Sequence, residues 1–197
     1  MHTEKRTRLS PVARRAQLIE LGAEMLATRR LEEISVEEIA DRAGISRGLL
    51  FHYFASKQDF YLAVVAKMAA AMLERTAPDL SLDPLDALYA SLSEFIDFVS
   101  ENRYGYVSLL RGAASGDARM RTVFDDTRAE MADRTLAQTP VLGIPTGPRT
   151  RMAVRGWIAF TEDVVISWLS DEELPRDELV RLISGALPAL LQDAAAE

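Results

Sequence analysis

Apolar side chains recur at helical spacing along almost the whole chain, and no segment alternates convincingly at the two-residue period of a strand. Prolines mark the starts of three long helical segments: Pro11, Pro84 and Pro175 each suit a first helical turn, where a proline loses no needed hydrogen bond. A cluster of prolines and glycines marks one clear loop at about residues 139–149. The pattern predicts an all-α chain of about nine helices.

The composition excludes several classes of protein. The 197 residues include no cysteine and only two histidines, so disulfides, thiolate zinc sites, cysteine nucleophiles and histidine-built metal sites are not expected. Hydrophobic residues make up 48% of the chain, enough to bury a core. There is no signal-peptide core and no apolar run near the ~20 residues of a membrane span. We therefore expect a soluble, cytoplasmic protein without a metal or a cofactor.

The net charge of −7 is unevenly distributed. Residues 1–57 carry 10 basic and 8 acidic side chains, whereas residues 58–197 carry 13 and 22. Five of the basic side chains lie within residues 1–15. A basic end joined to an acidic remainder is typical of a protein that contacts a polyanion through one part, although charge runs are also ordinary solvated surface.

Two short helices are predicted close together near the N-terminal end. Ser35 and Glu38 have the spacing of a capping box, which predicts a helix over about residues 36–43. Gly44 suits the left-handed conformation that ends a helix, and Ser46 can cap a second one. Two short helices across such a turn make a helix-turn-helix.

The second short helix, which should end near Tyr53, carries side chains that can read DNA. A major groove roughly 12 Å wide accepts one helix, and side chains near the helix start reach the base edges. Arg47 can make a bidentate contact to guanine, Gly48 lets the backbone approach, and Phe51 can touch a thymine methyl group. His52 and Tyr53 can donate to bases or phosphates.

Two further positions are suited to phosphate. Lys57 begins the next helix after the cap candidate Ser56, so its charge and the free backbone N–H groups point towards an anion. Ser35, at its own helix start, offers a second phosphate contact. A generic helical hairpin with polar residues facing water fits the same pattern, so the pattern alone leaves both interpretations open.

This part of the chain resembles the DNA-binding domain of TetR-family transcriptional regulators. The resemblance covers about residues 10–65 and rests on three runs: Ile34-Ser35-Val36-Glu37-Glu38-Ile39-Ala40, Ala43-Gly44-Ile45-Ser46-Arg47-Gly48-Leu49-Leu50-Phe51-His52-Tyr53-Phe54, and Ser56-Lys57. It implies a helix-turn-helix DNA-binding domain over residues 1–56 and a helical effector-binding and dimerisation domain over residues 57–197.

The resemblance also implies roles for single residues. It assigns base-facing positions to Arg47, Gly48 and Leu49, and phosphate contacts to Ser35, Ser46, Tyr53 and Lys57. The chain departs from the family pattern at Phe51, where tyrosine is frequent, and at Leu49, where threonine is frequent. Both departures limit any prediction of the operator sequence.

The segment at about residues 149–169 is apolar on nearly all sides of a helix, so it must be covered on nearly all sides. We expect a partner subunit to cover it, with the last helix completing a four-helix interface, although both helices can instead form a monomer core. Pro188 should kink or end that last helix. The candidates for the dimer interface are Trp157, Val164, Trp168, Leu182, Ile183 and Leu190.

Flexible and aromatic apolar side chains are concentrated within residues 60–131, which is typical of a pocket for a hydrophobic effector such as an acyl or polycyclic compound. At helical spacing the same residues can be plain core. Arg103, Arg111 and Glu162 could meet a polar group of the effector, but exposed or interface roles suit each better. The candidates for ligand binding are Met68, Met72, Phe95, Val99, Tyr104, Tyr106, Leu109, Met120 and Phe124.

The sequence therefore predicts a ligand-responsive transcriptional repressor. It should bind a palindromic operator in double-stranded DNA as a homodimer and be released by a small hydrophobic effector. An enzyme is not expected, because no nucleotide-binding or hydrolase motif occurs and adjacent acids such as Glu162 and Asp163 diverge by about 100° on a helix. The alternatives are a non-specific or architectural DNA-binding protein and a carrier of apolar ligands.

Overall fold

The computed structural model describes residues 9–114, 116–171 and 173–195, so part of the basic N-terminal segment lies outside the described residues. Within these ranges the chain forms helices and no strand, which confirms the all-α prediction. The α-helices are α1 (Pro11–Thr28), α2 (Val36–Ala43), α3 (Arg47–Tyr53), α4 (Lys57–Arg75), α5 (Pro84–Glu101), α6 (Arg103–Ala114), α7 (Ala118–Gln138), α8 (Pro148–Asp171) and α9 (Arg176–Ala195).

The first four helices begin at serine caps, as local sequence signals require. The hydroxyls of Ser10, Ser35, Ser46 and Ser56 each accept a hydrogen bond, at 3.0–3.2 Å, from the backbone N–H three residues further on. Gly44 ends α2 in the left-handed conformation with φ of 64°. These caps fix the lengths of α2 and α3 and hence the helix-turn-helix.

The three-helix head, α1 to α3, packs on α4 through close contacts. A β-carbon on Gly22 of α1 would lie 2.5 Å from Val64 Cγ2, so only glycine lets the two helices approach this closely. The buried hydroxyl of Tyr61 in α4 donates to the carbonyl of Ile34, which precedes α2. The head is therefore anchored to α4 by packing and by a buried hydrogen bond.

The remaining helices form the body. Helix α8 packs along α9, and α6 packs along α7. Helix α5 also packs on α9, and α7 packs on α8. Arg176 fastens the start of α9 to α5 by hydrogen bonds to the Asp97 carboxylate and to Ser93. Pro188 does not end α9, contrary to one of the two expectations for it, and the helix continues to Ala195.

No helix in the described part of the chain is long and apolar enough to cross a membrane.

Candidate nucleic-acid interface and effector cavity

The recognition helix α3 rests on α1 and α2 through one face and presents the other to solvent. Leu50 is fully buried on the inner face. The outer face exposes the side chains or backbone of Ser46, Arg47, Gly48, Leu49 and His52, while Phe51 and Tyr53 are half-buried. The structure thus brings the predicted base-facing residues together on one exposed surface.

Arg47 is held in place by a neighbour that sequence reasoning missed. Its Nη1 lies 3.0 Å from Oε1 of Glu37 in α2, and its guanidinium lies 5.6 Å from the centroid of the Phe51 ring. Both charged side chains remain more than half exposed, at 63% and 51%. An acidic group therefore lies against one terminal nitrogen of the Arg47 guanidinium.

Three of the four phosphate candidates, Ser35, Ser46 and Lys57, lie at helix starts, whereas Tyr53 is the last residue of α3. The hydroxyls of Ser35 and Ser46 accept capping bonds and can still donate their own protons. Lys57 is exposed at the first position of α4, with its ammonium 4.9 Å from the centroid of the Tyr61 ring. Arg15 in α1 is a further exposed cation that sequence reasoning did not select, and it lies over the Phe54 ring.

The capping-box prediction for Ser35 and Glu38 is confirmed only in its serine half. The Glu38 carboxylate instead accepts two hydrogen bonds from Arg29 at the end of α1, at 2.7 and 3.0 Å. The hydrogen bonds from Arg29 hold the pKa of Glu38 below its usual value. This ion pair ties α1 to α2 and so supports the helix-turn-helix from behind.

The body contains a cavity of about 510 Å³, within the usual size range of ligand pockets. It lies among the end of α4, α5, α7, α8 and α9. Exposed residues such as Leu85, Leu142 and Gln192 stand at its outer side, whereas Phe95 and Trp157 are buried at its inner end. Of the ligand-binding residues predicted from sequence, only Phe95 lines it.

A second, smaller cavity of about 30 Å³ adjoins the first. Five of the predicted ligand-binding residues line it, namely Met72, Phe95, Tyr106, Leu109 and Phe124.

The other four predicted ligand-binding residues line neither cavity. Tyr104 is on the surface, with 36% of its area exposed. Met68, Val99 and Met120 are buried packing residues, and Met68 lies against Gly105. The helical spacing of apolar residues identified buried side chains, but it could not distinguish residues that line a cavity from residues packed in the core. This distinction depends on how helices distant in sequence pack together.

A polar cluster lies at the smaller cavity. Arg128 Nε is 3.2 Å from Glu162 Oε1, and Glu162 is only 16% exposed. Burial raises the pKa of Glu162 and that of Tyr106, since a charge on either group would be poorly solvated. The Tyr106 hydroxyl is buried and has no hydrogen-bond partner among the described residues.

The predicted dimer residues divide into three groups by burial. Trp157 and Ile183 are buried within this chain, where the Trp157 indole N–H donates to the Ile183 carbonyl at 2.9 Å, so their side chains are covered without a partner subunit. Leu182 and Leu190 are exposed at 48% and 42%. Val164 and Trp168 are half-buried, and the Trp168 indole donates to the carbonyl of Leu174.

Helix α8 also exposes apolar side chains outside the buried face that contains Trp157. They are Met152, Phe160 and Ile166, and the small residues Gly156 and Ala159 between them are exposed as well. Small residues let a second helix approach closely. An unpaired surface of this kind on α8 and α9 is what a partner helix pair requires.

Comparisons with known proteins agree with this geometry. The solved structure of a tetR-family transcriptional regulator from Streptomyces coelicolor superimposes with a TM-score of 0.85 at 29% identity, over 95% of this chain and 84% of that chain. The HTH-type transcriptional activator FasR of Mycolicibacterium smegmatis is 26% identical over 176 residues, 88% of this chain and 80% of FasR. The HTH-type transcriptional repressor KstR2 of Mycobacterium tuberculosis is 51% identical over 47 residues, which is 24% of each chain.

Two family profiles account for most of the chain. "Bacterial regulatory proteins, tetR family" matches residues 18–64, and "Tetracyclin repressor-like, C-terminal domain" matches residues 84–187. The chain belongs to the TetR family of transcriptional regulators, which bind DNA through a helix-turn-helix.

Proposed function

We propose that this regulator is a ligand-responsive repressor that binds a palindromic operator as a homodimer and is released by an apolar effector. The observation that carries the proposal is the outer face of α3, where Arg47, Gly48 and Leu49 are exposed. The helix itself is fixed by the Ser46 cap at its start and by the buried Leu50 on its inner face. Residues 1–56 act as the DNA-binding domain, and residues 57–197 hold the effector and form the dimer.

The proposed base contacts come from the start of α3. Arg47 leaves Glu37 and makes a bidentate contact to guanine, while Gly48 lets the backbone approach the groove. Leu49 contributes apolar contact only. Ser35, Ser46, Tyr53 and Lys57 contact phosphates and fix the register of the helix, whereas Phe51 and His52 lie beside the bases.

The proposed dimer uses the exposed faces of α8 and α9. Met152 is 76% exposed, and with Ile166, Leu182 and Leu190 it forms an apolar surface that a second copy would cover. A two-fold axis pairs identical surfaces, so one set of residues serves both subunits. Two recognition helices about 34 Å apart then fit successive major grooves, which is why the operator should be palindromic.

The proposed effector occupies the cavity of about 510 Å³ in the body. An effector that binds more tightly to a conformation with another spacing of the recognition helices weakens DNA binding by its differential affinity. Repression is the simplest outcome of such release, and the head is 51% identical over 47 residues to a named repressor, KstR2. FasR, which is matched over 88% of this chain, is named an activator, so transcription itself must be measured.

The test is selection of bound sequences from random DNA with purified protein, followed by affinity measurements on the selected operator. Arg47→Ala should cost roughly 1–3 kcal/mol on the operator and relax the preference at one base pair. Arg42→Ala is the matched control, because Arg42 is an exposed cation of α2 whose nearest acid, Glu24, is 3.9 Å away. Equal losses from both variants on operator and random DNA would remove the base-reading role of Arg47.

The same selection separates the proposal from an architectural DNA-binding protein. A specific dimer enriches one palindrome and gives a footprint confined to it, whereas an architectural protein enriches no sequence. A reporter gene placed behind the selected operator then distinguishes repression from activation by the sign of its response to deletion of the regulator.

A further inference from the structure

Two buried side-chain hydroxyls in the described part of the chain have no hydrogen-bond partner, and both line cavities of the body. Ser91 Oγ lies at the larger cavity, and Tyr106 Oη lies at the smaller one. Buried polar groups are nearly always hydrogen-bonded, so an unsatisfied hydroxyl requires an explanation. Two such groups at adjoining cavities point to a ligand that supplies the missing partners.

The two cavities share four lining residues. Leu92, Phe95, Met131 and Trp157 line both of them, and the ring of Phe95 meets that of Tyr106 edge-on at 5.6 Å. Methionine has three rotatable bonds and changes rotamer readily. Movement of Met131 and Phe95 would therefore join the cavities into one elongated site with the Tyr106 hydroxyl at its inner end.

The charges at this inner end favour an uncharged group. Glu162 is mostly buried, and its carboxylate already pairs with Arg128 at 3.2 Å. The charge of Arg128 is therefore already balanced and does not favour an anionic ligand. A ligand carboxylate beside Tyr106 would be desolvated and repelled by Glu162. A ligand hydroxyl or carbonyl carries no such penalty, and its oxygen can accept a hydrogen bond from the Tyr106 hydroxyl.

Arg134, which lines the larger cavity, also has partners within the protein. Its Nε is 2.6 Å from Oε1 of Glu130, and its Nη1 donates to the carbonyl of Leu73 in α4 at 2.5 Å. Its charge is thus balanced by a carboxylate, and it does not turn the cavity into an anion site.

We propose that the effector is an apolar molecule with an uncharged hydroxyl or carbonyl at its inner end. The apolar body fills the larger cavity, and the polar end receives a hydrogen bond from Tyr106 after Met131 and Phe95 move aside. This inference rests on the proposed function, since it assigns the chemistry of the same effector site.

The test compares ligands that share a skeleton and differ only in the end group. The probes are octane, octanol and octanoate, together with adamantane, adamantanol and adamantanecarboxylate. Trp157 lines both cavities whereas Trp168, the other tryptophan, lines neither, so Trp168→Phe leaves a single fluorescent reporter at the site. Dissociation constants are measured by quenching of Trp157 at neutral pH, and by thermal shift as an independent readout.

For at least one skeleton the alcohol should bind more tightly than both the hydrocarbon and the carboxylate. Tyr106→Phe removes the hydroxyl and keeps the ring against Phe95, so it should weaken alcohol binding roughly two- to tenfold and leave hydrocarbon binding unchanged. The melting temperature of Tyr106→Phe should not fall, because the hydroxyl has no partner to lose. Tyr104→Phe, on the same helix but exposed, is the matched control and should change neither affinity.

Three results would overturn the inference: tighter binding of the carboxylate, equal effects of Tyr106→Phe on alcohol and hydrocarbon, or no binding by any probe. The first would place an anion site in the body. The second would show that the hydroxyl is satisfied without a ligand, as by a single buried water molecule. Operator binding by the protein without any probe is measured in parallel, and its absence would count against the proposed function itself.

Discussion

Replacement of Glu37 by glutamine should strengthen DNA binding, although Glu37 itself touches no DNA in our proposal. Glu37 holds Arg47 through a contact of 3.0 Å between two side chains that are both more than half exposed. Arg47 must leave this partner before it can reach a base. Breaking an exposed ion pair of this kind costs about 0.2–1 kcal/mol, and Glu37→Gln removes that cost in advance.

A second contribution comes from the repulsion between the Glu37 carboxylate and the DNA phosphates. It is screened over about 8 Å at physiological salt and over about 30 Å at 0.01 M salt. Taken together, the two effects should tighten binding about two- to tenfold at low salt, and the gain should shrink as salt rises. The operator should gain more than random DNA, because only the operator makes use of the freed Arg47.

Affinities are measured for operator and random DNA at several salt concentrations by fluorescence anisotropy. Glu32→Gln is the matched control, since Glu32 is an equally exposed acid of the head that makes no described contact with Arg47. Glu37 also lies in the first turn of α2, where an acid stabilises the helix dipole by about 0.3–1 kcal/mol, so the variant should melt slightly earlier. An unchanged operator affinity, or identical gains from Glu32→Gln, would refute the idea that Glu37 competes with the DNA for Arg47.

Lys57→Ala should weaken binding to all DNA sequences alike and lower the slope of log K against log salt by about 1; an unchanged slope would exclude a phosphate contact. Gly105→Ala should lower the melting temperature by roughly 2–12 °C, because its β-carbon would lie 2.1 Å from the sulfur of the buried Met68 and overpacking costs about 1–3 kcal/mol. A rise in melting temperature, which helix propensity alone predicts, would contradict that packing argument. Leu182→Glu should shift the protein towards monomers in sedimentation velocity, whereas Val141→Glu, an equally drastic change at a 70% exposed position outside α8 and α9, should not.

The head could be predicted in detail from sequence because its signals are local. Ser35, Ser46 and Ser56 bind backbone groups three residues away, and Gly44 adopts a conformation that its own lack of a side chain permits. Such interactions depend on the chain within a single turn, so spacing alone identifies them. What escaped prediction in the head were contacts between elements, such as those of Glu37 with Arg47, of Glu38 with Arg29 and of Arg15 with Phe54.

The body was predicted less well because its cavities are made by helices far apart in sequence. Apolar spacing correctly identified Met68 and Val99 as inward-facing but not whether they face a void or other side chains. Trp157 faces α9 of its own chain, so only part of the apolar surface of α8 remains available to a partner subunit. A polar residue placed on an otherwise apolar stretch, such as Ser91, was the available clue to the larger cavity.

In the proposed function, α4 connects the effector cavity of the body with the DNA-binding head. Its 19 residues span about 28 Å, with Lys57 at the DNA end. At the other end the carbonyl of Leu73 accepts a hydrogen bond from Arg134, and both Arg134 and Thr76 line the larger cavity. An effector that displaces Arg134 therefore changes the support of α4 at one end and the position of the head at the other. A hundredfold loss of operator affinity requires only about 2.7 kcal/mol of such coupling, and by reciprocity the operator then weakens effector binding by the same factor. We therefore expect the hydrogen bond between Arg134 and α4 to couple occupancy of the cavity to the position of α3.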